Sequence, residues 1–306
     1  SGRFLHHTIG TTDYSYQEEM LRPVTCKTVR ILTAEEAPSL IDDAIATALR
    51  ESKPCYIEIA SNLADAECAD PQPRTFERAW EVDYDQEAVE RAASEIAERI
   101  NAAEKPLLLA GPHLRPYGAI DAFKRVAEAI GCAVAVQPNA KSFFPEDHPQ
   151  FIGHYLGNSS APGAEAMVDL ADCVLAAGPM FTDYSTVGWT TTVPNDSGYI
   201  AVAEDGVTTP GAKYTNLPIA AVLEALEAKV ERNTATLDQY NRDDITGEAA
   251  DYTPAEDSAP LTRAEMVHQI NELISADSTL FAETGDSWFN GMHMQLPGGA
   301  GFELSL

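Results

Sequence analysis

Leu107-Leu108-Leu109-Ala110 is a four-residue apolar run set between two amphipathic helical patterns. Upstream, Val89, Ala93, Ile96 and Ile100 recur at helical spacing. Downstream, Ile120, Phe123, Val126 and Ile130 do the same, and Gly131 stands where a helix C-terminal cap is expected. A run this short, bounded by helices and apolar at every position, predicts a strand covered from both sides. The same pattern returns at Ala133-Val134-Ala135-Val136, Val174-Leu175-Ala176-Ala177 and Tyr199-Ile200-Ala201-Val202, and a further helix is predicted from Ile219 to Val230. Buried strands alternating with helices predict an α/β protein with open parallel sheets flanked by helices.

Outward toward the N-terminus, Leu40, Ile41, Ala44, Ile45, Ala48 and Leu49 predict a helix that Lys53-Pro54 ends, followed by a strand, Cys55-Tyr56-Ile57-Glu58-Ile59. Ala69-Asp70-Pro71-Gln72-Pro73-Arg74 is proline-punctuated and without period, which reads as a linker. Outward toward the C-terminus, Asn233 to Pro260 is acidic and polar with almost no apolar period, a second linker. Beyond it Thr262 and Glu265 form a capping-box pair. A helix carrying Val267, Ile270, Leu273 and Ile274 then leads into the strand Thr279-Leu280-Phe281-Ala282. The expected organisation is a partial unit over 1–70, a linker over 71–84, a complete α/β domain over 85–232, a linker over 233–259 and an opening unit over 260–306. One strand, loop and helix cannot bury a parallel sheet, and the first unit has the same shortage, so the 306 residues are expected to be an internal stretch of a longer protein.

Composition narrows the function classes. Apolar residues make up 44% and charged residues 22%, which suits a folded globular chain. Twenty basic against 48 acidic residues leave a net charge of −28, a field that repels phosphate backbones and anionic lipid. Nucleic acid and membranes are therefore not expected partners, and no apolar run approaches a bilayer span. The five cysteines, Cys26, Cys55, Cys68, Cys132 and Cys173, are scattered and lack C-x-x-C spacing. They suggest neither a disulfide framework nor a zinc site, and a reducing cytoplasm is the expected setting.

G-x-G-x-x-G after a strand, the Walker loop, H-E-x-x-H and G-x-S-x-G are all absent. His6-His7 is the one adjacent pair of proton-transfer side chains. Two imidazoles can divide donor and orienting roles near neutral pH, and taken alone the pair also reads as an exposed surface feature. Glu283-Thr284-Gly285-Asp286-Ser287-Trp288 follows a strand, where α/β sheets bind ligands, although Gly-Asp-Ser is also an ordinary turn with an N-cap. Phe181 to Trp189 concentrates aromatic and hydroxyl groups after another strand; Tyr184 there suits a pocket, or a packed aromatic loop. No residue set has metal-ligand spacing.

Five stretches in register give these weak signals a common meaning: Leu5-His6-His7-Thr8-Ile9-Gly10-Thr11-Thr12-Asp13-Tyr14-Ser15-Tyr16-Gln17, Lys53 to Ala60, Ala140-Lys141-Ser142-Phe143-Phe144-Pro145-Glu146, Asp183 to Trp189, and Ala282 to Asn290. Together they resemble the thiamine-diphosphate-dependent 2-keto acid decarboxylases, most closely the bacterial pyruvate decarboxylases. The resemblance implies a three-domain architecture of which only the central domain is complete. Residues 1–70 would be the later part of the pyrimidine-binding domain, and 260–306 the start of the diphosphate-binding domain. It implies that His6 and His7 are the catalytic histidine pair steering protonation after carbon dioxide leaves. Tyr184 would be a tyrosine near the same pocket, and Thr284 and Asp286 would belong to the loop that approaches the cofactor.

The implied cofactors are thiamine diphosphate and Mg2+, whose ligands are expected outside this chain, as is the glutamate that activates the aminopyrimidine. The implied reaction is pyruvate to acetaldehyde and carbon dioxide through an ylide and an enamine. A small 2-keto acid is thus the substrate, and the full-length form is a homodimer or homotetramer. Indolepyruvate or phenylpyruvate decarboxylation is the alternative chemistry, and a non-catalytic α/β binding or assembly module the alternative class. The 306 residues by themselves are expected to be catalytically silent and prone to associate.

Overall fold

A computed structural model describes residues 14–70, 76–78, 81, 83–190, 198–242 and 260–305. His6 and His7 lie outside the described residues. The chain divides into two compact units, Ser1–Val82 and Asp83–Leu306.

The first unit contains α1 (Tyr16–Leu21), β1 (Lys27–Ile31), α2 (Ala37–Glu51) and β2 (Cys55–Ile59). The two strands pair in parallel, Lys27 opposite Cys55 through Ile31 opposite Ile59, with α2 as the crossover between them. Pro38 in the first turn starts α2, and Ser52 ends it in the left-handed region, its N–H donating to Ala48 O.

The second unit is built on seven strands. The first two, β3 (Pro106–Ala110) and β4 (Ala133–Val136), follow the helices α3 (Gln86–Ala102) and α4 (Ile120–Ile130). Next come β5 (Phe151–His154), α5 (Ala164–Leu170), β6 (Cys173–Ala177) and β7 (Tyr199–Ala203). The sheet closes with β8 (Gly206–Thr208) and β9 (Lys213–Thr215), and α6 (Ile219–Glu227) returns over it. Strand order is β5-β4-β3-β6-β7-β8-β9.

The first five strands of that order run parallel, as expected, while β8 and β9 are antiparallel. The departure from an all-parallel sheet comes from the two-residue Glu204-Asp205 turn, which can only fold β8 back on β7. Gly206 sits there at φ +132, where a Cβ would meet Tyr214 O at 2.0 Å.

Period-two alternation splits each apolar run between two cores. Leu108, Ala110, Val134, Val136, Leu175 and Ala177 face α3, α4 and α6 in one core. Leu107, Leu109, Ala133, Ala135, Val174 and Ala176 face α5 and Tyr240 in the other. Asp85 caps α3 by accepting from Glu87 N, and Gly131 ends α4 at φ +78, where the sequence placed the cap.

The segment expected to be linker from residue 233 contains α7 (Ala235–Arg242). Its fully buried Thr236 accepts from Ala133 N at 3.1 Å and donates to Pro106 O at 2.6 Å, and Tyr240 is buried against the second core. Leu237 packs on the same core, so three residues hold these two turns against the sheet. An apolar periodicity was not there to read.

The remaining elements are α8 (Arg263–Leu273), β10 (Thr279–Glu283), α9 (Asp286–His293) and β11 (Gly301–Ser305). The expected cap forms, Thr262 Oγ1 accepting from Glu265 N at 3.1 Å. The strands β10 and β11 pair in parallel. A third core joins Trp288, Met292, Leu296 and Phe302 to Leu156, with Tyr184 and Val187 packed against it. No helix among the described residues is long and apolar enough to cross a membrane.

Candidate active site

The turn from β10 into α9 lies at the carboxyl edge of a parallel strand pair, the edge at which α/β sheets bind ligands. Thr284, Gly285 and Asp286 are all exposed there. Gly285 has φ +105, a conformation that disfavours any side chain, and among the described residues no heavy atom beyond its chain neighbours lies within 4 Å of where a Cβ would stand. The backbone at this turn is therefore open to approach. Asp286 opens α9 and brings a carboxylate to the positive end of the helix dipole.

Two residues further on, Trp288 is buried and stacks on Tyr184, ring centroids 4.7 Å apart at 27°. The Tyr184 hydroxyl and Trp288 Nε1 are both buried, and neither finds a hydrogen-bond partner among the described residues. Buried orphans of this kind are uncommon and call for a partner such as an ordered water, an ion or a ligand. The loop carrying Tyr184 is held by its neighbours: Ser185 Oγ accepts from Thr182 N at 2.9 Å, and Thr186 Oγ1 donates to Thr182 O at 2.6 Å. Val187, Gly188 and Trp189 then take positive φ in succession, strained for Val and Trp. Trp288 is thus what brings Tyr184 into the neighbourhood of the Thr284–Asp286 turn.

Reading the sequence missed a second constellation. Lys141 and Glu146, respectively 3% and 6% exposed, form an ion pair at 2.6 Å. Lys141 Nζ also donates to Met294 O at 2.8 Å and faces Met292 O at 3.5 Å, while Glu146 Oε2 accepts from Leu296 N at 3.0 Å. Burial pulls the Lys141 ammonium below its usual range, and Glu146 opposes that shift.

His154 and His293 lie beside this pair, ring centroids 5.8 Å apart. Burial holds the His154 imidazole at about 4, and its Nε2–H donates to Ser159 O at 3.0 Å. His293 is also lowered, first by burial. A cleft of about 670 Å³ opens alongside, lined by Lys141, Glu146, Asp147, His154 and His293 among others. The signal available in advance was two isolated charges, Lys141 and Glu146, within the apolar Ala140–Glu146 stretch.

Among the described residues there is no group of three or more His, Cys, Asp or Glu side chains that could hold a metal ion. Residues 93–228 match the family model described as "Thiamine pyrophosphate enzyme, central domain". The matched span takes in all seven strands of the larger sheet together with α4, α5 and α6 and most of α3.

Over its whole length the chain is homologous to pyruvate decarboxylases. It is 42% identical over 306 residues to a probable pyruvate decarboxylase of Schizosaccharomyces pombe, covering 100% of this chain and 53% of that relative. Identity is 43% over 302 residues to pyruvate decarboxylase of Neurospora crassa, covering 99% of this chain and 52% of the relative. For pyruvate decarboxylase 3 of Arabidopsis thaliana it is 37% over 314 residues, covering 100% of this chain and 52% of the relative. The chain spans about half the length of the curated relatives it matches. These are fungal and plant proteins, and they lend no support to the bacterial branch expected from the motifs.

Proposed function

We propose that this chain is part of a thiamine-diphosphate-dependent 2-keto acid decarboxylase that converts pyruvate to acetaldehyde and carbon dioxide. The observation that carries the proposal is the identity, unbroken along the chain, with proteins named pyruvate decarboxylases. The residues present fit the cofactor in two respects. Gly285 leaves open backbone at the carboxyl edge of β10, and two buried donors, the Tyr184 hydroxyl and Trp288 Nε1–H, have no partner among the described residues.

When bound, thiamine diphosphate supplies an electron sink for the carbanion left by departing carbon dioxide. The chain's own residues would bind and orient around it. Thr284 and Asp286 would approach the cofactor from the β10–α9 turn. On this reading the Tyr184 hydroxyl and Trp288 Nε1–H would donate to a small anionic or carbonyl oxygen, and the stacked rings would limit the space for a side chain on the keto acid. His6 and His7 would deliver the proton that releases the aldehyde.

Residues 1–70 belong on this reading to the pyrimidine-binding domain and 260–306 to the start of the diphosphate-binding domain. Mg2+ would be held by residues outside this chain, in a cytoplasmic homodimer or homotetramer.

The test is turnover by the full-length protein containing this sequence, supplied with thiamine diphosphate and Mg2+. Acetaldehyde from pyruvate, at a kcat/KM above that for indolepyruvate or phenylpyruvate, is the expected outcome. Faster turnover of the aromatic acids would overturn the substrate, and absence of any keto acid decarboxylation would overturn the activity.

A further inference from the structure

The Lys141–Glu146 pair sits in a cleft large enough for a ligand, yet its polar atoms are already committed. The three ammonium protons face Glu146 Oε1, Met294 O and Met292 O, and the second carboxylate oxygen takes the Leu296 N–H. All three backbone partners belong to the carboxyl end of α9 and the loop that follows it. Met292 lies in the last turn of the helix and Met294 is its C-cap, so their carbonyls are among those a helix leaves without intrahelical donors. A buried cation at that end meets both the free carbonyls and the negative pole of the dipole.

Neighbouring contacts fasten the same segment. Ser142 Oγ accepts from Phe302 N at 3.1 Å, Asp147 Oδ2 from Gly298 N at 3.3 Å, and Arg115 forms a bidentate pair with Glu303. The helix they hold is 8 residues long, about 12 Å of rigid rod. Its other end is Asp286 and the Thr284-Gly285 turn, and its middle carries Trp288 against Tyr184. Held at one end, a rod this short transmits its position to the other.

We propose that Lys141 and Glu146 are positioning residues: by clamping the carboxyl end of α9 they set the Thr284–Asp286 turn and the Trp288–Tyr184 stack for the reaction. The link to turnover rests on the decarboxylase reading above; the clamp itself does not. Buried, fully bonded ion pairs contribute little net stability compared with apolar replacements and are better at enforcing one geometry, which is the property required here.

The experiment uses the full-length holoenzyme. Lys141→Met combined with Glu146→Leu removes both charges, so neither is left buried alone. The near-UV dichroism band of Trp288, assigned by its loss in Trp288→Phe, reports the stack. Thr236→Val, which removes hydrogen bonds to Ala133 N and Pro106 O and no contact of the clamp, serves as a control for general destabilisation. The double variant is expected to fold cooperatively, lose the Trp288 band and lose at least tenfold in kcat with KM within about twofold. The control is expected to lower the melting temperature while keeping both kcat and the band. A folded double variant with native kcat and a native band overturns the clamp, as does a control that loses kcat to the same degree.

Should the double variant fail to fold, Glu146→Gln decides. The amide still accepts from Leu296 N, but the ammonium is left with its burial and the neutral imidazoles of His154 and His293, with Asp147 as the remaining carboxylate lining the cleft. It therefore loses its proton at lower pH than in the native enzyme, and the alkaline fall of kcat in this variant is expected to move to lower pH. An unchanged profile overturns the clamp. If the holoenzyme decarboxylates no keto acid, the functional reading fails, and the Trp288 band alone decides: its loss supports the clamp and its retention overturns it.

Discussion

Two kinds of parallel sheet share this chain. In the seven-stranded sheet every side chain of β3, β4 and β6 is buried, because five helices divide the two faces between them. In the two-stranded pairs apolar side chains are left uncovered: Ile59 at the end of β2 is 51% exposed, Phe281 in β10 73% and Leu273 on α8 81%. The helices differ likewise, with five buried residues on α4 and none on α8. The strands differ as well: β3, β4 and β6 carry no charged residue, whereas β1, β2, β10 and β11 each carry at least one. The number of paired strands and covering helices adds to that difference, so burial reflects both the segment and its assembly.

That contrast is sharpest in the core. Leu108→Ala, at a fully buried position, is expected to cost about 2–5 kcal/mol in urea unfolding of the full-length protein. A cost under 1 kcal/mol would place the central sheet among the loosely covered elements.

The next effect is one of pH. Burial holds folded His154 at about 4, whereas the unfolded chain protonates near the ordinary value of 6.5. Between those values the unfolded state binds the extra proton, so stability falls as pH drops from about 6.5 to 4 and is fully present above that window. Unfolding midpoints followed against pH should show up to about 3 kcal/mol of this slope, and His154→Gln should flatten it. The lowered His293 adds a smaller contribution of the same sign. An undiminished slope in the variant would assign the acid sensitivity to the carboxylates.

Smaller again is the loss from Thr236→Val, which leaves Ala133 N–H and Pro106 O without their partner. About 1–3 kcal/mol is expected by denaturant unfolding, and no change would mean that α7 is not fastened where the hydroxyl places it. Last comes Phe281→Ala, expected within about 0.5 kcal/mol when only the residues described here surround it. A large loss in the full-length protein would show that further chain covers this face there, which would narrow the contrast.

The legible part of the fold was the part with period. Leu107–Ala110, Ala133–Val136 and Val174–Ala177 are strands where their apolar runs stand, and Gly131 and Thr262 cap the helices they were expected to cap. α7 was not legible, because one hydroxyl, one leucine and one tyrosine anchor it, too few to make a pattern. Nor was the antiparallel pair β8 and β9, whose direction is decided by the two residues Glu204-Asp205. At the candidate site, Thr284, Asp286 and Tyr184 could be singled out from their loops, whereas their connection through Trp288 could not.

The sequence by itself determined the alternation of strand and helix, the acidic balance and the motif register, since each is a property of neighbouring residues along the chain. The tertiary structure alone decided that Tyr184 stacks on Trp288 and that Lys141 reaches Met294, partners more than a hundred positions apart. Contacts of that kind depend on how layers pack in space, and no local spacing encodes them. The same packing buries a tyrosine hydroxyl and an indole N–H that have no partner among the described residues, and the chemistry is proposed there and at the Gly285 turn.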